Sequence, residues 1–332
     1  MDSFTQILLG IATAEAIAGR ELKNRTFIYG SILGSIPDFD LLIGSFLSSV
    51  DGIRIHRGLS HSILFFLLLS PLLGTLLFKL EKKKIRIFKA ILLVFSCLLT
   101  HVLLDLFTAW GTQILWPLEE RFALKTIFVV DPLYTIPLFI SLLYVARSKT
   151  FHLRQKYLRY GLIFSTLYLS LACCIKLFAL HQFQVALEHQ NVTYREIIVK
   201  PTAFNMILWN ANIKTNDGYL LGEYSLLDKK PITFTLYKND SSAEKLIKHT
   251  VDYQKLVAIS EGWFIISHQK DTVYFNDLRF GLLNNNPTHP QFAFSYKFIP
   301  LSHSNYSVQE TPKQKRDGML LLKKLRYRIQ GN

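Results

Sequence analysis

Long hydrophobic runs fill the first 180 residues of the chain. They lie near residues 5–19, 26–47, 61–78, 87–109, 126–146 and 158–180. A helix needs roughly 20 mainly apolar residues to cross a bilayer, and most of these runs reach that length. The pattern therefore predicts an α-helical polytopic membrane domain with about five or six transmembrane helices. The short first run is expected to be tilted or only partly inserted.

The second run is interrupted at Ser35-Ile36-Pro37-Asp38. Proline has no backbone N–H and disfavours helix at the residue before it, so the run should kink or break here. Irregular backbone at membrane depth is tolerated only where it packs inside protein or lines a cavity. The carboxylates beside the break, Asp38 and Asp40, are therefore expected to point into such a cavity.

The pattern changes after residue 180. Stretches such as YLLGEYSLL, PITFTLYK and DTVYFNDLRF alternate or are rich in β-branched and aromatic residues. Turn-forming residues separate them at 216–218, 238–240 and 284–287. This combination is typical of antiparallel strands. We therefore predict a membrane-embedded helical domain over residues 1–180, followed by a small, mostly antiparallel β domain over 181–332.

The C-terminal segment 317–330, DGMLLLKKLRYRIQ, combines apolar and basic residues at helical spacing. A basic amphipathic helix of this kind is suited to a lipid surface. An ordinary solvated C-terminal helix would show the same pattern. The sequence leaves both interpretations open.

The charge of the chain is strongly positive, at +14, although 50% of its residues are hydrophobic. Basic residues flanking apolar runs are expected in membrane proteins. There is no interleaving of aromatic and basic residues of the RNA-binding kind. The expected partners are therefore membrane lipid and a small-molecule or lipid-like substrate, and no nucleic acid.

Basic residues also predict an orientation. They concentrate in the loops after the first, third and fifth runs, and such loops face the cytoplasm. Both termini and the β domain would then be extracytoplasmic. The residues are Arg20, Lys23 and Arg25; Lys79, Lys82, Lys83, Lys84, Arg86 and Lys89; and Arg147, Lys149, Arg154, Lys156 and Arg159.

A few ionisable residues lie in or beside the apolar runs. Each costs roughly 2.5–3.5 kcal/mol within a membrane helix, so such residues normally face a site or a partner. Asp131, which precedes Pro132, is expected to cap a helix, and Glu15 to lie at the cytoplasmic end of the first run. The others are Asp38, Asp40, His56, Arg57, His61, His101 and Asp105.

The predicted orientation brings these others to one layer. At a rise of 1.5 Å per residue, Asp38 and Asp40 lie roughly 18–21 Å above the cytoplasmic edge of a 30 Å core. His101 lies at about 21 Å and Asp105 at about 27 Å by the same arithmetic. His56 and His61 precede the third run and lie at the outer rim. Ionisable residues from separate segments are thus predicted to lie at similar depths, toward the outer leaflet.

The residue types favour a metal site. His101 and Asp105 are four residues apart and project from one helix face. Imidazole and carboxylate ligands suit zinc, manganese or iron and leave room for an activated water. Arg57 is suited to hold an anionic group such as phosphate, and Ser60 is a candidate helix cap for the third run.

Each residue also has a simpler interpretation on its own. His56 would be an interfacial residue, Arg57 would reach toward head groups, and the aspartates at the break would cap a broken helix. His101 and Asp105 would form a structural hydrogen bond. Convergence of all of them on one depth favours the metal site.

Four motifs resemble the YdjM-type family of bacterial inner-membrane metal-dependent hydrolases. They are MDSFTQILLG, IPDFD, HRGLSHS and THVLLD, and they cover about the first 150 residues in order. Asp131-Pro132-Leu133-Tyr134, PTAFNMILW and DLRFG resemble one branch of the family and extend the likeness to residue 280. The motifs are also distantly similar to helical zinc-dependent phospholipase C and nuclease proteins.

The resemblance implies a hydrolase in the inner membrane, with a divalent metal ion, zinc first and manganese or iron as alternatives. The implied metal ligands are Asp38, Asp40, His56, His61, His101 and Asp105. A carboxylate not bound to metal, Asp38 or Asp105, would be the general base. Arg57 would hold the phosphate of a phosphoester or lipid-like envelope substrate. Many relatives have histidine where this chain has Gln6, which leaves the number of metal ions open.

Two other functions compete with hydrolysis. One is a metal-stabilised membrane scaffold without catalysis, whose β domain binds a partner. The other is a small transporter that moves protons or ions through the carboxylates. A transporter is expected to show inverted repeats or charged groups on both sides of the midplane, and the sequence has neither.

Overall fold

The computed structural model describes residues 1–269, 272–284, 290–302, 305–311 and 318–332. The chain divides into two compact units. The first consists of Met1–Gly44, Ile55–Cys173 and Ala203–Asn205, and the second of Ser45–Arg54, Cys174–Thr202 and Met206–Asn332. The division at residue 180 that the sequence suggested stays a prediction.

Helices build the first unit, and each predicted apolar run contributes to one. They are α1 (Ser3–Leu22), α2 (Arg25–Ser35), α3 (Asp40–Gly44), α5 (Ile63–Leu80), α6 (Ile87–Leu106), α7 (Pro132–Arg147) and the first part of α8 (Phe151–His189). Short 3₁₀ turns occupy Pro37–Phe39 and Leu59–His61. The predicted break is confirmed, because α2 and the segment Pro37–Gly44 meet at an angle of 47°.

Three helices of the described residues, α5, α6 and α8, are long and apolar enough to cross a membrane. The bent pair formed by α2 and Pro37–Gly44 raises the number to four when it is taken as one span. Helix α7 is apolar but shorter. The helical character of the N-terminal region is thus confirmed, whereas five or six spans stay a prediction.

Close backbone contact joins α1 to α2. A Cβ added to Gly10 would lie 2.3 Å from the Gly30 carbonyl oxygen, and one added to Gly30 would lie 2.5 Å from the Ile11 Cα. Real Cβ contacts are never that short, so this packing depends on glycine. It holds the residues before the Pro37 break against the N-terminal helix.

The second unit is built mainly on two four-stranded antiparallel sheets, which confirms the predicted β domain. The first sheet has the order β1 (Glu196–Pro201), β2 (Leu208–Lys214), β3 (Tyr219–Ser225), β4 (Phe234–Tyr237). The second has the order β5 (Phe264–Gln269), β6 (Thr272–Asn284), β7 (Gln291–Ser302), β8 (Asn305–Glu310).

The turn signals have three different outcomes. Residues 216–218 connect β2 to β3, with Gly218 at φ +144°. Residues 238–240 lead into a helix, because the Asp240 carboxylate accepts from the backbone of α9 (Ser241–Ile247). Helices α9 and α10 (Val251–Ile259) were not predicted. The last signal lies outside the described residues at 285–287.

One segment of the second unit comes from an unexpected part of the chain. Helix α4 (Ser49–Ile55) lies between the Pro37 break and the HRGLSHS motif. Val50 is buried in the core formed by Ile247 and Leu256. The Asp51 carboxylate lies 2.6 Å from the Lys255 ammonium group. The sequence shows no sign of this packing, because the contacts are about 200 residues apart.

Candidate metal centre

Three separate backbone features bring the predicted site residues together. The 3₁₀ turn after α2 holds Asp38, the 3₁₀ turn before α5 holds His61, and the last turn and a half of α6 holds His101 and Asp105. Proline at 37 ends the regular helix and lets the first of these turns form. All three features belong to the first unit.

Asp38, His61, His101 and Asp105 form one cluster. Each offers a ligand atom, and these atoms all lie within 4.8 Å of one another. The Asp38 Oδ1 lies 3.5 Å from the Nε2 of both histidines. The Asp105 Oδ2 lies 3.5 Å from the His61 Nε2 and 3.7 Å from the His101 Nε2. A tetrahedral zinc site with ligands at 2.0–2.1 Å has edges of about 3.3–3.4 Å, close to these separations.

The outward ring nitrogens of both histidines are held by hydrogen bonds. The His101 Nδ1 lies 2.6 Å from the Gly34 carbonyl oxygen, so it carries the proton and donates. The Ser60 hydroxyl donates to the Asp40 carboxylate at 2.7 Å and can therefore only accept from the His61 Nδ1, 2.9 Å away. In both rings Nδ1 carries a proton, and Nε2 faces the cluster, where it can bind a cation when the ring is neutral. Metal-binding histidines are commonly oriented in this way.

Three atoms at the centre of the cluster are buried without a hydrogen-bond partner: the Nε2 of His61, the Nε2 of His101 and the Asp105 Oδ2. Buried polar atoms are normally hydrogen-bonded, and an orphaned group suggests a bound ion or water. With neutral rings, all three atoms are acceptors. The donor set therefore fits a divalent cation.

Asp105 is surrounded by positive and neutral donors. Its Oδ1 receives the buried N-terminal ammonium group of Met1 and, at 2.9 Å, the Gln6 amide. The Arg57 Nε lies 3.1 Å from Oδ2. The Oδ1 of Asp105 is therefore occupied, and Oδ2 is the oxygen that faces the two histidines.

Arg57 is buried and lies in the left-handed region of backbone space, at φ +59°. Its Nη1 donates to the Thr108 hydroxyl at 2.9 Å. Non-glycine residues at positive φ are uncommon, and such strain persists where the surroundings impose it. The structure thus places the predicted anion-binding arginine against a carboxylate of the cluster.

Asp40 and His56 stand beside the cluster of four. The His56 Nδ1 lies 2.9 Å from the Asp40 Oδ1, and the Asp40 Oδ2 accepts from the Arg57 backbone N–H at 3.0 Å. The centroids of the His56 and Trp110 rings lie 5.5 Å apart, with the two ring planes at 69° to each other. Of the six predicted ligands, the structure therefore brings four together and places the other two around them. Whether any of the six binds metal stays a prediction.

The hydrogen-bond partners of the cluster were not identified from the sequence. Ser60 was expected to cap the third helix, but Ser62 accepts the Phe65 N–H and Ser60 bridges Asp40 and His61. Thr108 and the Gly34 carbonyl lie just outside the motifs that the sequence pointed to. Only Gln6 had been noted, and its Oε1 is a further buried atom without a partner.

Asp131 has the capping role that the sequence suggested. Its carboxylate accepts the Leu133 N–H at 3.1 Å at the start of α7. The same carboxylate also accepts from the Tyr168 hydroxyl at 2.7 Å, which ties α7 to α8.

Comparison with known proteins agrees with these motifs. A model of the family described as YdjM inner membrane protein matches residues 1–179, which contain the whole candidate metal centre. No curated protein matches the chain, and no solved structure matches it. The family match covers more than half of the sequence, so the chain belongs to the YdjM inner membrane protein family.

Proposed function

We propose that the chain is a membrane-embedded metal-dependent hydrolase that acts on a phosphoester or lipid-like substrate. The observation that carries the proposal is the set of three buried atoms without a hydrogen-bond partner that face Asp38: the Nε2 of His61, the Nε2 of His101 and the Oδ2 of Asp105. A divalent ion such as zinc held there would supply an activated water and would polarise the scissile ester. Manganese and iron suit the same donors.

The side chains differ in the roles that they can take. Asp38 is 16% exposed, whereas His61 and Asp105 are completely buried. A general base has to reach the substrate side of the site. We therefore assign the proton-accepting role to Asp38 and the holding of the cation to His61, His101 and the Oδ2 of Asp105. Gln6 and Arg57 hold Asp105 in position through contacts with its Oδ1 and its Oδ2, respectively.

A non-catalytic scaffold is the second candidate function. Its support is the burial of the cluster, because only Asp38 of the four residues is partly exposed. A buried structural metal would join the turn after α2, the turn before α5 and α6 without any turnover. Metal binding is common to both functions, so two experiments are needed.

The first experiment measures metal content in the purified protein. We expect bound zinc, manganese or iron in the wild type and its loss in His61→Ala and in the milder Asp105→Asn. His152→Ala changes an exposed histidine of the same unit and should keep the metal. Wild-type protein that elutes as a single species without any metal, after supply of all three metals, would contradict both functions.

The second experiment measures turnover of a panel of phospholipids and simple phosphodiesters in detergent or nanodiscs. Hydrolysis that is lost on chelation, restored by metal and reduced at least about 100-fold in Asp38→Asn, consistent with general-base loss, supports the hydrolase. Full metal occupancy with no turnover of any substrate supports the scaffold.

The orientation is also part of the proposal. Membership of an inner-membrane family agrees with the apolar helices. The basic residues after α1, α5 and α7 support cytoplasmic placement of these three loops. The second unit would then be extracytoplasmic.

A further inference from the structure

Helix α11 (Gly318–Ile329) presents an unusual outer face. None of its residues is buried. Met319 is 79% exposed and Tyr327 77%, and Leu320 and Leu322 are each 48% exposed. A helix facing only water would be expected to carry polar residues at such positions.

Basic residues lie among these apolar side chains. Lys323, Lys324 and Arg326 are exposed, and the helix contains no acidic residue. At 100° per residue, the outer half of the helix runs through Leu322, Arg326, Met319, Lys323, Tyr327 and Leu320. Apolar and cationic groups therefore share one surface.

The opposite face of α11 is attached to the second unit. The two Nη atoms of Arg328 lie 2.6 and 2.7 Å from the Asp228 carboxylate oxygens, and the Ser225 hydroxyl donates to the Ile329 carbonyl at 2.7 Å. Burial would raise the pKa of Asp228, but the hydrogen bonds from Arg328 outweigh it and hold that pKa below its ordinary value. The attached face of α11 contains Leu321, Leu325, Arg328 and Ile329, all partly buried.

We propose that the outer face of α11 docks on the surface of a bilayer that contains anionic phospholipid. Lys323 and Arg326 would bind head-group phosphates, and Met319, Leu322 and Tyr327 would insert between them. Basic residues beside apolar ones are what an interfacial helix requires, because neither attraction alone is strong. This inference is independent of the hydrolase proposal.

The position of the helix in the chain supports this partner. Helix α8 runs without a break from a candidate membrane span into the second unit. The second unit is therefore covalently tethered at the membrane, which raises the effective concentration of lipid around its surface. A soluble protein partner would have no such advantage, and its charge would have to be acidic.

The test uses the full-length protein in nanodiscs, with Cys173 and Cys174 replaced by serine. A fluorophore attached at Met319→Cys reports depth, through quenching by spin-labelled lipid or by iodide in the water. With 30% phosphatidylglycerol we expect quenching by lipid and protection from iodide. In zwitterionic nanodiscs, or after Lys323→Glu with Arg326→Glu, the docked fraction should fall by about tenfold or more.

Matched controls separate docking from a general charge effect. Lys245→Glu with Lys248→Glu reverses two exposed charges elsewhere on the same unit and should leave lipid quenching unchanged. Free access of iodide to position 319 in anionic nanodiscs would overturn the proposal. Protection from both quenchers would also overturn it, because a protein or a second copy would then cover the face. Lipid quenching that persists after the charge reversal would contradict the proposed role of anionic phospholipid in docking.

Discussion

At the scale of single residues, Ser60 connects two parts of the candidate metal centre. Its hydroxyl gives its only proton to Asp40 and accepts from His61, which fixes the tautomer of a predicted ligand. Residues of this kind typically change metal affinity 10–100-fold when they are replaced. Ser60→Ala should therefore weaken metal binding by about 10–100-fold without removing a ligand.

Competition with a chromophoric chelator measures this affinity. Ser170→Ala is the control, because the Ser170 hydroxyl is exposed and bonds only to Thr166 of its own helix. Unchanged affinity in Ser60→Ala would show that the ring of His61 needs no such support, or that it is not a ligand.

A second residue-scale feature is the ion pair of Glu15 with Arg154. The Glu15 carboxylate is fully buried, and its oxygens accept from the Arg154 Nε at 2.8 Å and Nη2 at 2.7 Å. Removing one partner of a buried pair costs roughly 3–5 kcal/mol, whereas replacing both with apolar residues often costs little. Arg154→Met should lower the melting temperature in detergent more than Arg154→Met with Glu15→Leu. Equal decreases in melting temperature would show that Glu15 and Arg154 contribute no interaction energy as a pair.

At the scale of elements, the close contact of α1 with α2 at their glycines positions residues that hold the metal centre. Helix α2 carries Gly34, whose carbonyl binds His101, and α1 carries Gln6, which binds Asp105. Gly30→Ala should force the two helices apart, because its Cβ would lie 2.5 Å from the Ile11 Cα. Overpacking of this kind costs about 1–3 kcal/mol.

We expect Gly30→Ala to reduce metal content as well as stability. Gly161→Ala is the matched control, since its Cβ would meet the Ser141 side chain on α7 rather than the α1–α2 contact. If both variants lose the same stability but only Gly30→Ala loses metal, the glycine contact positions the site. Equal metal content in the two variants would show that the glycine contact between α1 and α2 does not position the metal centre.

The positions of the helices were easier to predict from the sequence than the contacts between them. Apolar length alone located the helices, and the proline at 37 located the break, because both effects are local. Spacing also predicted that His101 and Asp105 share a helix face. The contacts of Met1, Thr108 and Ser60 could not be predicted, since they depend on how separate segments meet. The same reason explains why the pairing of Glu15 with Arg154 was not predicted and why α4 was not assigned to the second unit.

At the scale of the whole molecule, the orientation depends on the shortest apolar helix. The basic loops after α5 and after α7 share a side of the membrane only if both α6 and α7 cross it. Helix α7 has 16 residues and is about 24 Å long, whereas the hydrocarbon core is about 30 Å thick. Basic loops nevertheless favour a crossing, because moving Arg147 and Lys149 to the outside would oppose the charge rule.

Cysteine labelling in intact cells decides between these topologies. In a background without Cys173 and Cys174, we introduce Lys84→Cys, Lys149→Cys or Ser241→Cys, all at exposed positions. We expect a membrane-impermeant maleimide to label position 241 only, with 84 and 149 labelled after the membrane is opened. Labelling of 149 but not 84 from outside would mean that α7 does not cross. The second unit would then lie in the cytoplasm, because α8 crosses once between residue 149 and that unit.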